Sequence, residues 1–379
     1  MIYFDNAATS YPKPRGVYNA IIRAMNDAGG NPGRSGHSLS IAAAGIVYDC
    51  RCELAEFFGC SVPENVIFTY NATYALNIAI KGLLNRGDHV LISNFEHNSV
   101  LRPVAAMESR GVTYDVFDAS GTTEQTIASI KSFVKRSTAA VICAHVSNVC
   151  GLELPIAAIG EYCASRRIKF IVDGAQSAGI KPINIEKCHI DALCIPCHKG
   201  LYGIAGCGAV IFSARFKEGE MPFAPVIEGG SGVNSLELAM PALPPERYEA
   251  GTLCVPAIAA ALAGLREVKR VGIDTIAEHE SNLKNKLSEL LGELSCVNVY
   301  MPGCGGGVLA FNVRGKPSSD IAGALDERDI CVRSGFHCSP LAHKRLGTGK
   351  DGAVRVSFSM YNNEAEVRTF FTALQEIVK

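Results

Sequence analysis

The run Phe170-Ile171-Val172-Asp173-Gly174-Ala175-Gln176 reads as an apolar strand that ends in an acid. A second apolar run closes with Pro196-Cys197-His198-Lys199-Gly200, which sets a lysine at another strand end. Open α/β sheets bind ligands beyond the carboxyl ends of their strands, so acid and amine would face one crevice. That pair suits pyridoxal 5'-phosphate. The lysine forms an imine with the cofactor aldehyde, and the acid keeps the ring nitrogen protonated so that the ring accepts electrons. Each residue alone reads equally well as half of an ordinary salt bridge at a loop edge, so other positions must carry the argument.

Phe68-Thr69-Tyr70-Asn71-Ala72-Thr73 leads into a helix expected from about Tyr74. Free N–H groups at a helix start, at Ala72 and Thr73, make an anion site for a phosphate, although Thr73 fits a plain N-cap equally well. His97, in Asn94-Phe95-Glu96-His97-Asn98, follows another strand, and its flat ring can stack on a pyridine face. A satisfied surface histidine is the ordinary alternative. Asn148 closes the strand before it and can bond the ring 3-oxygen or a substrate. Cys338 lies in the polar loop Arg333-Ser334-Gly335-Phe336-His337-Cys338. A thiolate is the nucleophile there, and positive charge nearby, beside His337 and near Arg333, favours it.

The elements that must position these residues alternate. Residues 89–93, 139–146, 169–172, 192–195 and 208–212 read as buried strands, with helices at 75–84, 127–134 and 156–166 between them. This predicts an α/β domain with a mainly parallel sheet and helices on both faces. A Gly- and Pro-rich stretch from Glu228 to Pro245 reads as ordered loop. Beyond Pro256 come a long helix, strands at 297–300 and 308–313, a helix at 319–327 and a strand at 353–358, an α+β module. Residues 15–255 are therefore expected to form the large domain, and residues 1–14 with 256–379 the small domain that carries the Cys338 loop.

The 379 residues carry a formal net charge of -1, with 48% hydrophobic and 19% charged residues, so the chain reads as soluble and shows no global footprint for nucleic acid or membrane. The first residues lack the basic and apolar regions of a secretory signal, and a cytoplasmic location is expected. Among fifteen cysteines, the close pairs Cys50-x-Cys52 and Cys194-x-x-Cys197 lack further ligands at matching spacing, so no metal site is expected. Most of the cysteines read as buried small hydrophobes.

The motifs Asp173-Gly174-Ala175-Gln176, His198-Lys199-Gly200-Leu201-Tyr202-Gly203, Arg247-Tyr248-Glu249-Ala250-Gly251-Thr252 and Arg333 to Cys338 resemble those of class V aminotransferase-fold cysteine desulfurases. The nearest branch is group II, the SufS-like or selenocysteine-lyase-like type. The resemblance runs from Asp5-Asn6-Ala7-Ala8-Thr9 to Arg355-Val356-Ser357 and Tyr361-Asn362.

The resemblance implies a fold type I, pyridoxal-phosphate-dependent transferase. Lys199 would hold the cofactor and move protons, Asp173 would pair with the ring nitrogen, Gln176 would bond the 3-oxygen and His97 would stack on the ring. Thr73 and His198 would hold the phosphate, and Thr252 would reach that of the partner subunit in a homodimer. Arg355 would clamp the substrate carboxylate, Asn148 would support the same end, and Arg333 would shape the loop of Cys338. That cysteine would take sulfur from L-cysteine as a persulfide, leaving L-alanine, and pass it to an acceptor protein, as in iron–sulfur cluster assembly.

Pro196-Cys197 departs from the family pattern and removes a hydroxyl contact to the phosphate, and Ile204-Ala205 changes the wall near the cofactor. Selenocysteine lyase, another class V aminotransferase or β-lyase with an incidental Cys338, and a non-catalytic scaffold are the alternatives.

Overall fold

The computed structural model describes residues 1–33, 35–216 and 221–379. Its main sheet has seven strands, β2 (Val66–Thr69), β3 (His89–Ser93), β4 (Thr113–Phe117), β5 (Thr138–Ala144), β6 (Lys169–Asp173), β7 (Ala192–Pro196) and β8 (Gly208–Phe212), in the order β2-β8-β7-β6-β5-β3-β4. The run from β7 to β4 is parallel, while β8 is antiparallel to both of its neighbours. Strand side chains alternate between two cores. Leu91, Val141 and Val172 join one cluster, and Val90, Ile92, Ile142 and Ile171 join the other. Burial on both faces explains why these strands read as continuous apolar runs. The helices α3 (Ala72–Leu83) and α4 (Asn98–Glu108) contribute to the second core, and α2 (Ser38–Phe58) and α6 (Ile156–Arg166) to the first.

A smaller unit is built on β10 (Val308–Val313), which lies antiparallel between β9 (Val297–Tyr300) and β12 (Val354–Ser357). The N-terminal β1 (Ile2–Tyr3) pairs in parallel with β11 (Ile330–Cys331), and Phe4 packs into this unit's core with Phe311 and Phe370. The passage between units expected at residue 256 lies at the start of a helix. The helix α7 (Val255–Val271) buries Ala257, Ala261 and Leu265 in the large core, against α1 (Arg15–Asp27) and α2. Only α8 (Ile273–Gly292), after the turn at Gly272, packs on β9 and α11 (Glu364–Val378).

Strands expected at 89–93, 208–212, 297–300 and 308–313, and the helix at 156–166, have those bounds. The strand expected at 139–146 stops at Ala144, and the His145 N–H makes the last ladder bond, to the Asp173 carbonyl at 3.0 Å. Helix α3 starts at Ala72, ahead of its expected start, because the Asn71 side chain caps it by accepting from the Tyr74 N–H at 3.1 Å. Residues 228–245 form no regular element. Among the described residues, no helix is long and apolar enough to cross a membrane.

Candidate active site

Asp173 is the last residue of β6, and Lys199 lies three residues beyond the end of the adjacent β7. Glycine lets the two following turns touch: a Cβ on Gly200 would press on the Ile180 side chain at 2.8 Å and on the Ala178 carbonyl. Both residues face a cavity of about 540 Å³. Ala72, Thr73 and His198 line one end of it, and His97, Asn148 and Gln176 also belong to its wall. The carboxylate–amine pair read from the two strand ends is thus assembled in one place.

Burial, with the charges of Arg355 and Arg333, lowers Lys199 to about pKa 8, against the opposing pull of Asp173 and Asp5. A substantial neutral fraction near neutral pH makes it a nucleophile toward an aldehyde. Burial raises Asp173, opposed by the Ala175 N–H donating at 2.9 Å and by Lys199. His97 is held neutral, at about 4, by burial and by Lys199, Arg333, Arg355 and Arg102. Its Nδ1 accepts from the Ser99 N–H at 3.0 Å and contacts Ser99 Oγ at 2.8 Å, so the proton sits on Nε2. Ser99 Oγ in turn meets Thr73 Oγ1 at 2.8 Å, because Asn71 rather than Thr73 caps α3.

His198 is also lowered to about 4, first by burial, and its Nδ1 is buried without a hydrogen-bond partner among the described residues. An unpartnered buried ring nitrogen costs free energy that a ligand atom can recover. This nitrogen, the α3 N-terminus and the Asp173–Lys199 pair fit a phosphorylated pyridine aldehyde, whose phosphate Thr73 and His198 would hold and whose ring nitrogen Asp173 would hold.

Arg355 in β12 is buried. Its Nη2 bonds Asp5 Oδ1 at 2.6 Å, its Nη1 bonds the Asn148 carbonyl at 3.1 Å, and its Nε has no partner among the described residues. Arg333 is joined to it main chain to main chain, its N–H reaching the Arg355 carbonyl at 3.3 Å. Neither arginine belongs to the cavity wall, yet both charges reach Lys199 and His97. Asp5 is the one carboxylate bonded to Arg355 among the described residues, which leaves this edge electropositive and suited to an amino-acid carboxylate.

Cys338 is exposed, on the loop between β11 and α10 (Pro340–Arg345). His337 and Cys338 have φ values of 47° and 56°, a left-handed pair that turns the loop back on itself. Main chain joins it to the cavity, where the Cys338 carbonyl accepts from the N–H of Asn98, the neighbour of His97, at 2.7 Å.

Two further contacts shape this loop. The Asn148 amide donates to the His337 carbonyl at 2.8 Å and accepts from Ser339 Oγ at 2.7 Å, so it clamps this loop. These two bonds use one of its two N–H groups and one lone pair of its oxygen, and the residue also lines the cavity. His337 brings no positive charge to Cys338, since burial and Arg355 push it down to about 2.

Thr252 is exposed, bonded to Asn31 Nδ2 at 3.2 Å, and does not line this chain's cavity. Ser99, Asp5, Asn98 and Ser339 were missed. Ser99, two residues past His97 at a helix start, had a readable capping signal, whereas Asp5 and Ser339 act through contacts that span the chain.

Residues 2–370 match the profile of the Aminotransferase class-V family. A probable cysteine desulfurase of Pyrococcus abyssi is 33% identical, covering 100% of this chain and 94% of its own length. A cysteine desulfurase of Haloferax volcanii is 29% identical, covering 99% and 88%. The apo structure of a cysteine desulfurase from Thermococcus onnurineus NA1 superposes with a TM-score of 0.89 at 32% identity, over 100% of this chain and 94% of that one. With a match that runs almost from end to end and a fold shared over its whole length, the chain belongs to the class-V aminotransferase family.

Proposed function

We infer that this chain is a pyridoxal-phosphate-dependent cysteine desulfurase, converting L-cysteine to L-alanine and holding the sulfur as a persulfide on Cys338. The observation that carries the reading is that Lys199 and Asp173 share one cavity, while the Cys338 main chain is bonded beside His97 on its wall. The relatives named cysteine desulfurase support the activity.

Bound in the cavity, the cofactor would supply an electron sink for the carbanion left when the substrate Cα loses its proton. Lys199, near pKa 8, can take that proton and return it. Asp173 would hold a proton at the ring nitrogen, and the neutral His97 ring would cover the ring face without adding charge. Arg355 and Arg333 would orient the carboxylate. Cys338 Sγ then forms an S–S bond with the substrate sulfur as the C–S bond breaks, and the bonding pair stays on the carbon that becomes the alanine methyl.

The short loop, pinned by Asn148 and Asn98, agrees with the group II branch, and an exposed Cys338 suits delivery to an acceptor protein. The exposed Tyr74 and Ile227 beside Thr252, with Leu236 and Leu238 fully exposed, fit a homodimer in which Thr252 meets the partner's phosphate. Fifteen free thiols fit a reducing, cytoplasmic setting. The test is Cys338→Ala. It should keep the yellow protein-bound cofactor, lose sulfide release from cysteine and lose the extra sulfur seen on the tryptic peptide by mass spectrometry. Normal turnover in that variant would refute the reading.

A further inference from the structure

The groups that this chemistry leaves unused converge on a second chamber between the two units, with a volume of about 540 Å³. Val146, Ala175, Gln176 and Lys199 belong to its wall and to that of the first cavity, so Lys199 stands at the junction. The small unit supplies the far wall, including Gly307, Ser359 and Glu280 of α8. Glu280 is 4% exposed and makes no hydrogen bond or ion pair with any described residue. Its carboxyl lies against Gly307, where a Cβ would come within 2.7 Å of Oε2, so the glycine leaves it room.

The ionisable groups around it are committed elsewhere. Lys181 pairs with Glu153 at 2.7 Å. Lys284, one turn along α8, donates to the Pro302 and Cys304 carbonyls at 2.5 Å. Tyr202 is kept neutral, first by burial and then by the Glu280 charge, and its hydroxyl accepts from the Met360 N–H at 2.9 Å. Lys199 is the remaining cation on the wall. An uncompensated buried carboxyl is costly unless protonated, and burial pushes Glu280 up to about 8, the value to which Lys199 is lowered. Asn6, Ser10, Gln176 and Ser359 line the space between, enough polar partners to hold bridging water.

We propose that Glu280 is the proton-exchange partner of Lys199, working through water in this chamber. When Lys199 has taken the substrate proton, its ammonium passes a proton to chamber water while the Glu280 carboxylate takes one at the far end. The reverse transfer restores both groups, and no charge leaves the chamber. Glu280 is a positioning residue for protons rather than a catalytic residue, and its role rests on Lys199 being the proton-moving group of the proposed reaction.

Glu280→Gln keeps the volume and removes the titration. In the cofactor-loaded enzyme kcat for alanine formation should fall about 10-fold or more, with KM little changed and the limb near pH 8 altered. Glu280→Asp should restore most of the rate, and acetate should rescue Glu280→Ala. Infrared difference spectra of the cofactor-free protein, taken between about pH 6 and about pH 10, should show two buried carboxyls that titrate near 8, Glu280 and Glu96, of which Glu280→Gln loses one. Carboxyl bands of undiminished amplitude in Glu280→Gln, or an unchanged kcat and pH profile, overturn the proposal. So does a loss of rate that neither aspartate nor acetate repairs. A native enzyme that makes no alanine from cysteine sinks the reaction and this role together, whereas an active native enzyme with an indifferent Glu280→Gln sinks this role alone.

Discussion

Asp173 and Lys199 stand at the ends of adjacent sheet strands, fixed by backbone register and by the close approach of the turns at Gly179 and Gly200. Cys338 stands on a loop, in the second of two successive left-handed residues, at an intrinsic cost of about 1–2 kcal/mol each. Its geometry is held from outside by Asn148, Asn98 and the Ser339 hydroxyl. The first region is set by the sheet, which the whole core supports. The second is set by a few hydrogen bonds between distant parts of the chain. Rigidity of the two regions can therefore be broken separately.

The largest effect is expected at Lys199. Lys199→Ala should cut alanine formation by about 10³-fold or more and abolish the covalently held cofactor absorbance. Its melting temperature should stay close to native, because the strand register does not depend on this side chain. In the native protein, cofactor loading should rise as pH is raised through about 8, since the ammonium must lose its proton before the amine attacks. Loading that is flat across that range would show that the Lys199 amine is not lowered by its surroundings.

This half of the site was legible because β6 and β7 are continuous apolar runs whose last residues must lie at one sheet edge. The alternation of helices and strands points to a mainly parallel sheet, whose strand ends put the acid and the lysine at one edge, while the order of its strands is not legible in that alternation. The Cys338 half was not legible in the same way. Asn148 and Ser339 are separated by 191 residues, and nothing local in either tells of the other. Positive charge beside Cys338 was read from its neighbour His337, but a histidine next to a residue in sequence can point into the core. His337 does so, contacting His343 Nε2 at 3.2 Å and the Arg333 carbonyl at 3.3 Å. Pro256 marks where a helix starts, not which core that helix packs against.

Asn148→Ala tests how far the loop depends on its clamp. It leaves the His337 carbonyl and the Ser339 hydroxyl without their partner, at a cost of about 1–3 kcal/mol, and lets Cys338 drift. Displacement of about 1 Å can slow a positioned reaction by about 10²-fold, so persulfide formation should drop by about 10- to 100-fold. Cofactor binding should be nearly unchanged, because the Asn148 carbonyl that receives Arg355 is retained. Cofactor affinity falling in step with sulfur transfer would show that the two regions are one cooperative unit.

The smallest effect is expected at His337. Asparagine tolerates the left-handed conformation found there, so His337→Asn should keep the turn while removing the imidazole. Burial keeps that ring neutral down to about pH 2, so above that value it has no proton to give and no charge with which to hold the Cys338 thiolate. Sulfide release should therefore change by less than about 3-fold, and its acid limb should be the same in both proteins between about pH 5 and about pH 7. An acid limb that is present in the native enzyme and missing from His337→Asn would restore the histidine as the activator of the thiol. It would also mean that the loop is polarised from within, not merely held in place by Asn148 and Asn98.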